Sequence, residues 1–475
     1  MDSKKIVSGV KWRGIQVVLD VLFRFSIRII LAKLLLPNEF GLVGMAMVFI
    51  AVATAASEFG IEAALVQKKD DYEAEKMYST AFWTGLAWGL GLYLLISFIV
   101  GPFAANFYEE PMLITLVPVL SLSILFRPLI LIHTVILTRA MNFKKMAKIF
   151  NLSALIAGVT ALISAYFNFG VWALVINSVL GSLISFPLLL LATKWKPNLE
   201  WNKEHFKNIF GFGAYSTATT IFGAITYNID NLMIGKLLGS SSLGAYTLSF
   251  SLTEQLRQVI SNVLNKVMYP VFGKSQDNKE KLKDYFLKII NLNSLVAYPL
   301  MAFILIFSED IILGFFGDKW IETIVPLQIL SIAMMVHLSV NSFTSLIRGL
   351  GKPQLEMKII IGLTLIVLVP SLYIGIVNYG LKGAAYAILL NKIALVIVAT
   401  IVLRREIDLS FFEILKAIKS AFLGVLCASS AVFITCYFIN INNLLVLAPI
   451  YIIFYLLIIY KLEKIYIIKV LKLLK

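Results

Sequence analysis

Ile30-Leu31-Ala32-Lys33-Leu34-Leu35 and Met233-Ile234-Gly235-Lys236-Leu237-Leu238 are two versions of one segment, 203 residues apart. More of the chain recurs around them. Phe40-Gly41 returns as Leu243-Gly244, Phe107-Tyr108 as Phe315-Phe316, Pro118 as Pro326 and Arg139 as Arg348. Asn168-Phe169-Gly170 returns as Asn378-Tyr379-Gly380. The spacing drifts only from 203 to 210, so few insertions separate the copies. Both copies are built from long apolar stretches. A duplicated apolar half is a signature of transporters in which two bundles rock about a central site.

Composition sets the same frame. Of 475 residues, 59% are hydrophobic and 15% charged, with a mean hydropathy of +0.88. Soluble domains carry about 25% charge. A spanning helix needs about 20 apolar residues, and fourteen stretches qualify: 11–36, 39–66, 75–101, 112–138, 146–167, 170–193, 209–237, 242–271, 286–307, 322–348, 356–377, 380–403, 412–438 and 443–461. The expected fold is therefore an all-α polytopic membrane protein. Two parallel six-helix repeats form N- and C-terminal lobes around a central cavity, and two further helices follow, fourteen transmembrane helices in all. The domain boundaries read as 1–194, a cytoplasmic linker at 195–208, 209–405, and 406–475 with a basic tail. The apolar run after the basic N-terminus contains Asp20, Arg24 and Arg28 and has no small-residue cleavage site, so the first helix reads as retained.

The net charge of +15 would suggest nucleic acid in a soluble protein. Here it is a topology signal. Alternate connections on one side hold 32 lysines and arginines. The other side holds four: Lys33, Lys236, Lys319 and Lys382. That asymmetry places both termini in the cytoplasm, with anionic lipid headgroups rather than nucleic acid as the partner of the charge. No connection has room for a nucleotide-binding or catalytic domain. Gly273-Lys274-Ser275 lacks the earlier glycine and the strand of a P-loop. The two cysteines, Cys427 and Cys436, share one span and make no metal site. No enzyme, metal or cofactor is read from the chain.

Ionisable residues inside a bilayer are costly and usually face a protein interior or a wet cavity. Asp20, Arg24 and Arg28 are spaced by four and share a face of the first helix. An Asp–Arg pair would neutralise one arginine and leave the other. Arg127 precedes Pro128 in the fourth span, Glu254 and Arg257 lie three apart in the eighth, and Lys392 lies in the twelfth. Glu254 and Arg257 can form a simple local ion pair. Asp230 is either a coupling site for a cation or proton, or a partner for Arg24 or Arg28. His337 reads as a histidine bonded to neighbouring backbone. Six buried cations (Arg24, Arg28, Arg127, Arg257, Lys266, Lys392) exceed three acids (Asp20, Asp230, Glu254). A cavity so lined suits an anion, and arginine forks match diphosphate or carboxylate. Arg24, Arg28, Arg127, Arg257 and Lys392 are thus the candidate substrate-binding residues. Asp20, Asp230 and Glu254 are coupling or ion-pair candidates.

Four stretches carry a family resemblance: Gly9-Val10-Lys11-Trp12, Leu34-Leu35-Leu36-Pro37-Asn38-Glu39-Phe40-Gly41, Phe59-Gly60-Ile61-Glu62-Ala63-Ala64-Leu65-Val66-Gln67 and Tyr227-Asn228-Ile229-Asp230-Asn231-Leu232-Met233-Ile234-Gly235. Through them, Met1 to about Arg405 resembles the Wzx-like polysaccharide flippases of the multidrug/oligosaccharidyl-lipid/polysaccharide exporter superfamily. The resemblance implies a bacterial cytoplasmic-membrane flippase. Its substrate would be undecaprenyl-diphosphate-linked sugar units, moved by alternating access for cell-surface polysaccharide synthesis. Other polysaccharide-assembly proteins would be its neighbours. The alternatives are an antiporter of the same fold for a drug or anionic metabolite, and a polytopic glycan ligase or polymerase. Short outer loops and the duplication weigh against the enzyme.

Overall fold

The computed structural model describes residues 23, 25–57, 61, 65–66, 71–439 and 443–474. Among them there is helix and no strand, as expected of a chain whose backbone polar groups find no water in hydrocarbon and must bond within their own segment. The helices are α1 (25–34), α2 (Pro37–Ser57), α3 (Asp71–Leu95), α4 (Gly101–Tyr108), α5 (Leu113–Arg139), α6 (Phe143–Tyr166), α7 (Val171–Thr193) and α8 (Lys203–Lys274). They continue with α9 (Lys279–Ile306), α10 (Ile324–Leu338), α11 (Phe343–Gly349), α12 (Pro353–Leu363), α13 (Val369–Ile407), α14 (Phe411–Ile439) and α15 (Leu444–Leu474). Ten stretches of the described residues are long and apolar enough to cross a membrane.

Packing divides the chain into two compact units, Met1–Thr247 and Leu248–Lys475, with the boundary inside α8. In the first, α7 packs on α6 and α5, and α5 also packs on α3 and α2. Gly85 and Gly89, one turn apart, let α3 close on Pro128 of α5: a Cβ there would lie 3.0 and 3.2 Å from its ring. Small residues serve membrane helices this way because close backbone approach replaces the hydrophobic effect that lipid cannot supply. In the second unit, α10 packs on α13, α9 on α10 and α14, and α14 on α15. Pro299 has no N–H for the Leu295 carbonyl four residues back. The Tyr455 hydroxyl of α15 donates to that carbonyl at 2.7 Å, and Tyr451, one turn earlier, donates to the Pro299 carbonyl at 3.1 Å. A proline on one helix thus creates the docking point for another.

The duplication is visible in the backbone. Gly170 (φ 57°, ψ −133°) and Gly380 (φ 57°, ψ −139°) share one rare conformation. Left-handed residues also recur in pairs, Glu109 with Gly317, Met141 with Gly351 and Lys194 with Asp408. Each pair ends the same helix in the two copies.

Two details differ from the sequence expectation. The spans at 209–237 and 242–271 run into one another as α8, with only Gly239 (φ 81°, ψ −177°) departing from helical geometry. The span at 322–348 is broken: α10 ends at Leu338 and α11 begins at Phe343. The segment 195–202 lies extended along α3. Trp83 Nε1 donates to the Asn198 carbonyl at 2.7 Å and the Asn198 amide to Ser79 Oγ at 3.1 Å. The Asn202 amide donates to Thr80 Oγ1 and Trp201 Nε1 to Thr84 Oγ1, both at 3.1 Å. The positions on α3 follow the i, i+1, i+4, i+5 pattern of one helix face.

Candidate functional site

The polar constellation of the second unit is built on α8. Spacings of three and four place Glu254, Arg257 and Gln258 on neighbouring positions. Arg257 grips Glu254 with a fork, Nε to Oε2 at 2.7 Å and Nη2 to Oε1 at 2.5 Å. Gln258 Nε2 adds a third donor to Oε1 at 3.1 Å. The pair is well buried, with side chains 17% and 7% exposed. The local ion pair weighed from the sequence is therefore formed.

Arg257 also reaches out of its own helix. Its Nη1 donates to Asn341 Oδ1 at 3.0 Å. Asn341 is buried and sits in the break between α10 and α11. There the backbone turns with short-range bonds, Val340 N to the His337 carbonyl at 3.1 Å and Phe343 N to the Val340 carbonyl at 2.9 Å. Discontinuous helices in transporters mark substrate and ion sites, because unwound backbone is tolerated only where it lines a cavity or is buried in protein. His337 lies at the end of α10, with no hydrogen-bond partner at Nδ1, where a neighbouring backbone partner was expected. Lys392 of α13 is half-buried, and it and Arg257 are both within electrostatic reach of His337. Hydrogen bonds thus join Glu254, Arg257 and Asn341 at the broken helix.

The other candidates lie in the first unit. Arg28 of α1 is half-buried, with Tyr227 within electrostatic reach. Asp230 is buried and accepts from the Tyr246 hydroxyl at 2.6 Å and from the Asn231 amide at 2.8 Å. Arg127 of α5 is half-buried beside Pro128. Asp20 and Arg24 lie outside the described residues. Asn341 and Tyr246 were not singled out from the sequence. A polar residue at the spacing of one turn from His337 was the available signal for the first. For Tyr246, sixteen residues beyond Asp230, sequence offered none.

A second feature of the first unit joins the two sequence copies. A Cβ on Gly41 would lie 1.7 Å from the Ser240 carbonyl oxygen, and one on Gly244 would lie 1.8 Å from that of Pro37. Offset 203 maps Pro37 to Ser240 and Gly41 to Gly244, so the two contacts are one contact made twice, as at a two-fold interface. Beside it, Lys236 pairs with Glu109 at 2.8 Å and Ser240 Oγ donates to Glu110 at 2.8 Å. The Lys236 ammonium holds the exposed Glu109 carboxyl below the usual carboxylate range.

Comparison with known proteins agrees with this architecture. The polysaccharide biosynthesis protein family matches residues 30–326. The chain is 25% identical to the lipopolysaccharide biosynthesis protein WzxC of Escherichia coli (strain K12) over 423 residues, covering 87% of this chain and 82% of that one. It is 25% identical to the teichuronic acid biosynthesis protein TuaB of Bacillus subtilis (strain 168) over 356 residues, 74% of this chain and 73% of that one. In fold it is similar to the lipid II flippase MurJ in its inward closed conformation, with a TM-score of 0.75, 14% identity, and coverage of 97% and 100%. It also resembles an inward-facing multidrug resistance MATE transporter of the MOP superfamily, with a TM-score of 0.64, 16% identity, and coverage of 82% and 94%. The chain is a multi-pass membrane protein that belongs to the polysaccharide biosynthesis protein family.

Proposed function

We propose that this protein is a flippase, not an enzyme, that carries undecaprenyl-diphosphate-linked oligosaccharide units from the cytoplasmic to the outer leaflet of a bacterial cytoplasmic membrane. The single observation that carries the reading is the arginine at the broken helix, where Arg257 bonds both Glu254 and Asn341 within an apolar span. The relatives named for lipopolysaccharide and teichuronic acid biosynthesis support it. A sugar diphosphate cannot cross about 30 Å of hydrocarbon unaided, since each charge and unpaired hydroxyl is costly there. Arginine forks can replace the water around the diphosphate, while the prenyl tail stays in lipid. No bond is made or broken. The site comprises Arg24, Arg28, Arg127, Arg257 and Lys392, with Asp20, Asp230 and Glu254 as ion-pair or coupling partners. The frame is two six-helix lobes that alternate access, followed by two further helices, fourteen in all, and the reciprocal glycine crossing closes its outer side. Reconstituted protein should move a fluorescent undecaprenyl-diphosphate oligosaccharide across a vesicle bilayer. Transfer no faster than in protein-free vesicles would sink the reading.

The orientation rests on the lysine and arginine asymmetry, with both termini cytoplasmic. Cysteine at Glu109 or Asp318, in a background lacking Cys427 and Cys436, should react with an impermeant thiol reagent in intact cells. Cysteine at Lys279 should react only after permeabilisation. Labelling of position 279 in intact cells would invert the topology.

A further inference from the structure

The duplication pairs two helix faces of different chemistry. The offset of 203 that relates Ile30 to Met233 also relates Asp20 to Gly223, Arg24 to Tyr227 and Arg28 to Asn231. Each triplet is spaced by four, so each occupies one face of its helix. The first copy carries an acid and two arginines at these positions. The second copy carries a glycine, a tyrosine and an amide, on the first half of α8.

The face on α8 is open. Tyr227 is 52% exposed, and Gly223 and Thr220, one and two turns earlier, are exposed as well. A Cβ on Gly223 would meet nothing within 4 Å. Aromatic side chains in a helix lean back over the residues three and four before them, so the Tyr227 ring leans over Gly223. A larger residue there would cover one face of the ring, and glycine leaves it bare. Asn231, one turn on, is half-buried. Beyond it the helix is covered: Ile234 and Gly235 are buried, with Tyr108 and Met45 close against Gly235.

An exposed tyrosine in a span meets either lipid or a wet interior. The neighbouring arginine decides between them. Arg28 is half-buried, with Tyr227 within electrostatic reach. A guanidinium inside a bilayer faces protein or water rather than hydrocarbon, and the ring beside it shares that environment. A pyranose presents one apolar face of C–H groups and an edge of hydroxyls. An aromatic ring suits the apolar face. A side-chain amide, with two N–H donors and an acceptor oxygen, suits the hydroxyls. These neutral groups hold a sugar, as the arginines hold a phosphate.

We propose that Gly223, Tyr227 and Asn231 form a sugar subsite, in which a hexopyranose ring stacks on Tyr227 above Gly223 and its hydroxyls bond Asn231. The inference rests on the transport reading above and deepens it. Arg28 meets the diphosphate, and the sugar attached to that diphosphate lies on the tyrosine.

The test is native mass spectrometry of the purified full-length protein in detergent. The probes are undecaprenyl diphosphate and its derivatives carrying one glucose or one galactose. The native protein should prefer at least one glycosylated lipid over the bare one by about tenfold, as an aromatic contact and a hydrogen bond supply. Tyr227→Ala should cut the preference to about twofold, with the bare lipid bound as before. Tyr227→Phe keeps the ring and should keep most of the preference. Gly223→Leu should behave like Tyr227→Ala, because leucine covers the ring. It enters open space and favours the helix, so the protein should melt no lower. Arg28→Ala should weaken all three lipids alike, which separates the diphosphate from the sugar. A preference unchanged in Tyr227→Ala or in Gly223→Leu would overturn the proposal, as would its loss in Tyr227→Phe. Native protein that binds all three lipids equally would lose the sugar subsite and keep the transport reading. Native protein that binds none of them would lose both.

Discussion

Valine at Gly41 or at Gly244 is expected to abolish export and to prevent the closed arrangement described here. The added Cβ would sit 1.7 Å from the Ser240 carbonyl oxygen or 1.8 Å from that of Pro37. Both obstacles are backbone, so no side chain can swing aside. Overpacking of side chains costs about 1–3 kcal/mol, and a clash between two helix backbones falls at the top of that range or above it. Cysteines at Asn38 and Ser241, beside the crossing, report the effect. In an otherwise cysteine-free protein they should crosslink nearly completely under oxidant, stop export, and release it on reduction. With valine at position 41, crosslinking should fall to a minor fraction. Gly91→Val is the control, because a Cβ there meets nothing within 4 Å. Undiminished crosslinking in Gly41→Val would mean that the helices do not meet there in the membrane. Full export by the crosslinked protein would end the rocking mechanism.

The Glu254–Arg257 pair separates structural from substrate roles. Arg257→Ala leaves Glu254 buried without its counter-ion, at a cost of about 3–5 kcal/mol. Folded protein in the membrane should fall sharply. Replacing both partners with neutral residues, Glu254→Gln with Arg257→Met, removes the stranded charge and should restore the yield. Export should stay low in that double variant, because the guanidinium at position 257 is then missing from the site. Arg257→Lys should keep the yield and part of the export, since an ammonium lacks the forked geometry. Export at the native level by the double variant, at native expression, would remove Arg257 from the substrate site.

The broken helix shows where reading along the chain stops. Hydropathy over 322–348 is continuous, and an apolar run of that length is a helix by every local criterion. Nothing in Ser339-Val340-Asn341-Ser342 is a strong breaker. The break is stabilised from another helix, by Arg257 donating to Asn341. Asp230 teaches the same lesson. Its place inside an apolar helix marked it as exceptional, but its hydroxyl donor, Tyr246, lies sixteen residues on, beyond the turn at Gly239. By contrast, the glycine pair at 170 and 380 was legible, because a left-handed backbone between two helices needs glycine and the copies share it.

The sequence by itself determined the helical class, the membrane, the duplication and the charges worth explaining. Each follows from terms that act locally: apolar length against bilayer thickness, internal satisfaction of backbone bonds, and the cost of an ion in hydrocarbon. Tertiary structure alone decided which acid each arginine takes. Arg257 finds Glu254 three residues away and Arg348 finds Glu356 eight away, and one bond of the equivalent Arg139 goes to a carbonyl 74 residues off. It also decided that Gly41 and Gly244 must be glycine, since only the crossing of two helices reveals what a Cβ would strike. The physical reason is range. Hydrophobic patterning is a property of a segment, whereas an ion pair, a broken helix and a backbone contact depend on groups that the chain brings together from far apart.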